Sequence, residues 1–135
     1  MAGSHWLQSG HLAATAFVGG AAVGAIAAAV LMLNNYRDLT ADLAAGRRTL
    51  AAVLGRAGAR RAYAVFMMAP FAAPVWFALQ GRPGALLALL ALPLCFALVR
   101  RVAQSAPGPA LNLMLGGTAR AELVFGLLLA IGISL

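Results

Sequence analysis

The chain has three acidic residues, and two of them, Asp38 and Asp42, stand four positions apart. On a helix that spacing brings both side chains to one face, with Cβ atoms about 6 Å apart. Two carboxylates at that separation can hold one or two Mg2+ ions, which prefer hard oxygen ligands and keep coordination sites open for phosphate oxygens. Like charges so placed repel, so a metal or other cation accounts for the pair better than helix stability does. Around them gather Asn34, Asn35, Arg37, Arg47 and Arg48. Guanidinium forks match phosphate oxygens two at a time, and an asparagine can orient a carboxylate or ligate a metal, so these residue types suit a diphosphate. The residues alone leave an even alternative, in which Asp38 and Asp42 pair with Arg37 or Arg48 in a solvated loop.

The elements that must position these groups belong to a membrane. Hydrophobic residues make up 63% of the 135, charged residues only 10%, and the mean hydropathy is +0.90, far from the mix of a soluble domain. Four apolar runs predict an all-α, polytopic transmembrane helix bundle, with helices at about 12–33, 62–79, 85–99 and 118–135. The first run is 22 residues long, enough to cross a hydrocarbon layer of roughly 30 Å. Gly20 and Gly24 stand in it as a small-xxx-small pair that invites close helix packing. Pro70, Pro74 and Pro93 predict kinks, Gly81, Pro83 and Gly84 a tight turn, and 102–117 a loop with a short interfacial helix at 110–115. The polar segment 34–61 reads as a loop carrying the two aspartates.

Arginine placement gives the orientation. With 34–61 cytoplasmic, alternation of four spans puts Arg37, Arg47, Arg48, Arg56, Arg60, Arg61, Arg100, Arg101 and Arg120 inside and only Arg82 outside. The expected location is the inner (cytoplasmic) membrane, multi-pass. The net charge of +7 does not imply nucleic acid, because every basic residue is an arginine at a helix end and no soluble basic face with stacking aromatics accompanies them. Cys95 is the one cysteine and reads as a small buried hydrophobe. Residues 1–11 are polar, without the basic and apolar regions of a signal peptide.

The remaining candidates have plain readings. His5 and His11 fall on the outer side, away from the aspartates. Trp6, Trp76 and Phe77 read as outer-boundary anchors. Tyr36 and Tyr63 flank the polar segment, where contact with an aromatic acceptor and interface anchoring are equally supported. Glu122, beside Arg120, falls in the first turn of the fourth helix and reads as structural.

The run Asn34-Asn35-Tyr36-Arg37-Asp38-Leu39-Thr40-Ala41-Asp42, continued by Gly46-Arg47-Arg48-Thr49-Leu50, resembles the N-N-x-R-D-x-x-x-D-x-x-x-G-[KR]-x-T-L signature of the dihydroxynaphthoate branch of the UbiA superfamily, the intramembrane aromatic prenyltransferases. Leu54-Gly55, Ala59-Arg60-Arg61 and the order of the later helices are similar to that family as well. The resemblance implies transfer of a polyprenyl group from polyprenyl diphosphate to 1,4-dihydroxy-2-naphthoate in menaquinone biosynthesis, with loss of the carboxyl group. It implies Mg2+ held by Asp38 and Asp42, with Arg47 sharing the catalytic role and Asn34, Asn35, Tyr36, Arg37 and Arg48 contacting substrate. The Asn34-Asn35 pair favours the naphthoate over another aromatic acceptor. A non-catalytic small membrane subunit or transporter, with aspartates merely balancing arginines, is the rival from a different class.

Two positions depart from the family pattern: Thr40 stands where an acid is common and Leu43 where a base is common. The family also carries about nine helices and a first aspartate motif of the N-D-x-x-D type, whereas residues 1–33 contain no aspartate. The expectation is a C-terminal portion, arising by truncation, by a misplaced start or as half of a split enzyme whose partner chain brings the other helices, and inactive alone.

Overall fold

The structure is a computed structural model that describes residues 14–135; His5, Trp6 and His11 lie outside the described residues. Helix α1 spans Ala14–Arg37. Its glycines do not break it, because a backbone in hydrocarbon has no water to bond and keeps its internal ladder. Asp38, at φ −90° and ψ 3°, interrupts the helix, and the short α2 follows over Leu39–Ala44. Helix α3 covers Leu50–Met68 and continues through a 3-10 turn at Ala69–Phe71 into α4, Ala72–Leu79. A 3-10 helix over Pro83–Ala91 leads into α5, Leu92–Gln104, and a last 3-10 turn at Pro109–Leu111 leads into α6, Asn112–Ser134. Four stretches are long and apolar enough to cross a membrane: Ala14–Arg37, Leu50–Leu79, Pro83–Gln104 and Pro109–Ser134.

Three expected boundaries are corrected. Segment 34–61 is mostly helical, since α1 runs on to Arg37 and α3 begins at Leu50 instead of near 62. Thr49 opens α3 as its N-cap, with its hydroxyl accepting from the Ala52 N–H at 3.2 Å. The stretch from Leu50 to Leu79 has 30 residues but is kinked at Gly55, whose φ of 71° and ψ of 178° are not helical, so residues 50–54 form a separate first turn and the arginine-bearing continuation starts at Arg56. At the other end, α6 starts at Asn112 instead of 118, running straight through Gly116 and Gly117. That start moves Arg120 and Glu122 out of the first helical turn and into the third.

Each span packs against its chain neighbours, and α1 closes the bundle against α6. The third span shows how local chemistry sets the packing. Pro93 has no N–H for the carbonyl four residues back, so the ladder ahead of it tightens to i, i+3 bonds. In that 3-10 register Ala85, Ala88 and Ala91 eclipse one another, and all three are buried. Gly84 and Gly132 approach so closely there that a Cβ on either would overlap the other's carbonyl. The bundle centre is aromatic: Phe71 meets Phe125 edge-on at 5.2 Å between centroids. The Tyr63 hydroxyl donates to Thr118 Oγ1 at 2.8 Å, and Thr118 passes its own proton to the Met114 carbonyl at 2.7 Å. Leucines and valines such as Leu31, Val65, Leu90 and Leu127 are left facing outward, as lipid allows.

Two aromatic and glycine assignments also change. Phe77 is a core residue beside Gly19, not a boundary anchor, whereas Trp76 is half-buried against it at 5.1 Å between centroids. Gly24 is exposed, and a methyl group placed on it would meet nothing within 4 Å, so the Gly20/Gly24 pair is not a contact inside this bundle.

Candidate functional site at the arginine-rich end of the bundle

The segment Asn34 to Thr49 is shaped by two local devices. The first is the break at Asp38, across which the Asp42 N–H still reaches the Asp38 carbonyl at 2.8 Å. The second is the end of α2. Gly46 takes φ +70°, a left-handed conformation that suits glycine. Its N–H bonds the Leu43 carbonyl at 3.2 Å and the Arg47 N–H bonds the Asp42 carbonyl at 2.8 Å, the paired bonds of a Schellman cap. The glycine therefore folds Arg47 back toward Asp42.

The carboxylates end in different surroundings. Asp38 is half-exposed and gripped by both arms of its neighbour, with Arg37 Nε donating to Oδ1 at 2.8 Å and Nη2 to Oδ2 at 3.0 Å. That hydrogen-bonded guanidinium holds the Asp38 carboxyl below its ordinary pKa of 3.8. Asp42 is buried, at 6% exposure, and Arg47 Nη1 lies 3.7 Å from its Oδ1, an ion pair beyond direct hydrogen-bond length.

Two depressions flank this pair. A cleft of about 530 Å³ is lined on one wall by Arg37, Asp38, Thr40 and Ala41 and on the other by Pro107, Gly108, Pro109 and Asn112. A second, of about 410 Å³, is lined by Leu43, Gly46, Arg47, Arg48, Ala52 and Val53. The two departures from the family pattern fall one in each: Thr40 in the first and Leu43 in the second. So the structure gathers Arg37 with Asp38 in one depression and Arg47 with Arg48 in the other, while the buried Asp42 lines neither and meets the second through its ion pair with Arg47. Asn34 and Asn35 are half-buried, and no side-chain hydrogen bond joins either to another described residue.

Tyr36, expected at the substrate, is corrected. It is 1% exposed and its hydroxyl is engaged, donating to the Ser105 carbonyl at 2.7 Å and accepting from Arg60 Nε at 2.7 Å. Tyr63 is likewise interior. Three contributors escaped the sequence. Asn112 Oδ1 accepts from Arg37 Nη1 at 3.0 Å across the cleft, Ser105 supplies its carbonyl, and Arg60 ties Tyr36 to that carbonyl. They lie 75, 69 and 24 positions from their partners in the 34–38 segment, beyond any local pattern.

The donor chemistry fits Mg2+ as a partial ligand set. No group of three or more His, Cys, Asp or Glu forms among the described residues, so Asp38 and Asp42 would supply two carboxylates at most. Mg2+ characteristically takes one or two protein carboxylates and completes its shell with water and substrate phosphate. Each Asp38 oxygen bound by Arg37 retains a second lone-pair site.

A bundle of four membrane-length helices with two carboxylates and most of its arginines toward one end has the architecture of a multi-pass membrane protein. The chain belongs to the UbiA prenyltransferase family, which it matches over residues 1–132. It is 34% identical over 135 residues to the 1,4-dihydroxy-2-naphthoate octaprenyltransferase of Escherichia coli (strain K12), an overlap of 98% of this chain and 44% of that protein. It is 31% identical over 121 residues to the UbiA prenyltransferase domain-containing protein 1 homolog of Drosophila melanogaster, covering 90% of this chain and 33% of that one. The chain thus spans less than half the length of either relative. No solved structure gives a significant match.

Proposed function

We propose that this chain forms the second-aspartate-motif part of an aromatic prenyltransferase site that transfers a polyprenyl group from its diphosphate to 1,4-dihydroxy-2-naphthoate. The observation that carries the reading is Asp38 and Asp42 set between Arg37 and the Arg47–Arg48 pair at the mouth of an apolar bundle. In the reaction the allylic C–O bond breaks, its electron pair leaves with the diphosphate, a ring carbon bonds the allylic carbon, and the carboxyl group departs as CO2. Mg2+ held by Asp38 and Asp42 would neutralise charge on the departing diphosphate. Arg47 and Arg48, both exposed, would take further diphosphate oxygens bidentately. Arg37, already committed to Asp38 and Asn112, would fix the carboxylate's direction. An apolar groove of about 360 Å³ between α1 and the 69–76 stretch, lined by Phe17, Ala21, Ala25, Pro70, Ala73 and Trp76, offers a dry surface of the kind an isoprenoid tail needs.

One aspartate pair, and a groove open along its length, support the further reading that these 135 residues do not turn over alone. The experiment is reconstitution in liposomes with polyprenyl diphosphate, the naphthoate acid and Mg2+. The chain is assayed by itself and together with a chain supplying the part of the Escherichia coli relative that it does not cover. Demethylmenaquinol, detected as the quinone after oxidation by air, from the pair and from neither chain by itself is the expected result. Product from neither, with the relative active beside them, removes the enzyme reading in favour of a non-catalytic subunit; product from 4-hydroxybenzoate but not the naphthoate reassigns the acceptor.

A further inference from the structure

We infer that Arg60 is a positioning residue that sets the spacing of the two walls of the Asp38 cleft. The inference rests on the proposed diphosphate site, which that cleft adjoins. Arg60 does not itself line the cleft. Its guanidinium reaches the root of each wall: Nε donates to Tyr36 Oη at 2.7 Å, one residue before Arg37, and Nη2 donates to the Ser105 carbonyl at 2.8 Å, two residues before Pro107. Tyr36 closes the triangle by donating its own proton to that carbonyl at 2.7 Å.

Each side of the triangle has a reason to be strong. The Ser105 carbonyl is at the C-cap of α5, where helix carbonyls lack an intrahelical partner and the dipole favours a cation. Arg60 also lies 5.7 Å from the Tyr36 ring centroid, within cation–π range. By helix rise it stands about 30 Å from Leu79, which places it at the hydrocarbon boundary, where screening is weaker than in bulk water. Apart from Arg60, the walls are tied by the Tyr36–Ser105 bond at 2.7 Å and by the exposed Arg37–Asn112 bond at 3.0 Å, where Arg37 is shared with Asp38. Without Arg60, the 34–38 segment and the 105–112 loop would be hydrogen-bonded together only by the lone Tyr36 hydroxyl and by a residue that must also handle the carboxylate.

The test uses the full chain in nanodiscs, carrying spin labels at Ala41→Cys and Ala110→Cys on opposite walls, with Cys95 buried and silent. The inter-label distance is measured by pulsed electron resonance beside inorganic pyrophosphate affinity and melting temperature. A narrow distance distribution is expected in the parent. Arg60→Gln should broaden it and weaken pyrophosphate binding roughly ten- to hundredfold, the scale of losing charged hydrogen bonds. Arg60→Lys, which keeps the charge but not the two-armed reach, should fall between. Tyr36→Phe should widen the distribution too, and adding it to Arg60→Gln should change little more. An unchanged distribution in Arg60→Gln, with or without a lower melting temperature, overturns the inference and leaves Arg60 a stability residue. Absence of pyrophosphate binding in the parent would sink the diphosphate reading, while the distances would still decide the role of Arg60.

Discussion

Arg47 is tied to Asp42 twice: its backbone N–H donates to the Asp42 carbonyl at 2.8 Å, and its guanidinium lies 3.7 Å from the Asp42 carboxylate. Both ties depend on Gly46 at φ +70°. A Cβ there meets no neighbour, so the penalty for Gly46→Ala is backbone strain alone, about 1 kcal/mol. Gly46→Ala should weaken pyrophosphate binding by up to about fivefold, that strain converted to affinity, and by less than Arg47→Gln, which removes the guanidinium outright. Equal binding by Gly46→Ala and the parent, in the same titration, would show that the cap does not aim Arg47.

The carboxylates themselves should matter far more. In a reconstituted enzyme containing this segment, Asp38→Asn or Asp42→Asn is expected to lower prenyl transfer by three or more decades, equivalent to about 4 kcal/mol of barrier. The rate is followed under saturating Mg2+ by the hydroquinone product, oxidised in air to the quinone for detection. Turnover within a fewfold of the parent in both variants would make the pair structural.

Arg37 predicts a pH signature. Its hydrogen bonds depress the Asp38 pKa in the folded state, so the stabilisation they give is complete above the ordinary value of 3.8 and fades as pH falls through the lower folded value. Near neutral pH Asp38 is ionised with or without Arg37. Arg37→Gln should therefore leave the Asp38 charge intact at neutral pH but move its titration upward, seen as an upward shift of the carboxyl signal's midpoint in difference infrared spectra that Asp38→Asn abolishes. A midpoint unmoved by Arg37→Gln would mean the pair is not formed in solution.

The glycine contact between the third and fourth spans offers a stability test with a built-in control. Gly84→Ala or Gly132→Ala must push a methyl into the other backbone, an overpacking expected to cost about 1–3 kcal/mol. Gly24→Ala and Gly116→Ala place the same methyl in open space and should be nearly neutral. Thermal unfolding in detergent separates the two classes; similar midpoints for all four would show that the spans do not meet at Gly84 and Gly132.

Membrane class and the number of spans were legible because uncharged runs of membrane length have few other uses. The polar side chains around Asp38 and Asp42 were legible because two of three acids and several arginines stand within sixteen positions. What hid the start of α3 was its arginines. Arg56, Arg60 and Arg61 give 50–61 the composition of a loop, and the kink at Gly55 breaks the period, so only beyond it do Ala59, Tyr63 and Met67 recur four apart as buried residues. Tyr36 was misread for a related reason. An aromatic beside a polar motif suits a substrate contact, and only the fold reveals that Ser105 and Arg60 have taken its hydroxyl.

Orientation follows from the same arginines and can be tested directly. Nine of them sit on the Asp38 side of the alternating spans, and Arg82 sits in the turn between Leu79 and Pro83 at the other end. We therefore expect the Asp38 end to face the cytoplasm, where water-soluble diphosphate and acceptor chemistry could meet a membrane-held tail. Ala45 and Arg82 are both exposed, and Cys95 is buried, so a single introduced thiol can be read without background. In intact cells Ala45→Cys should resist a membrane-impermeant thiol reagent until the membrane is opened, while Arg82→Cys reacts at once. Reaction at 45 and protection at 82 would invert the bundle, putting the proposed site on the side where no cytoplasmic substrate could reach it.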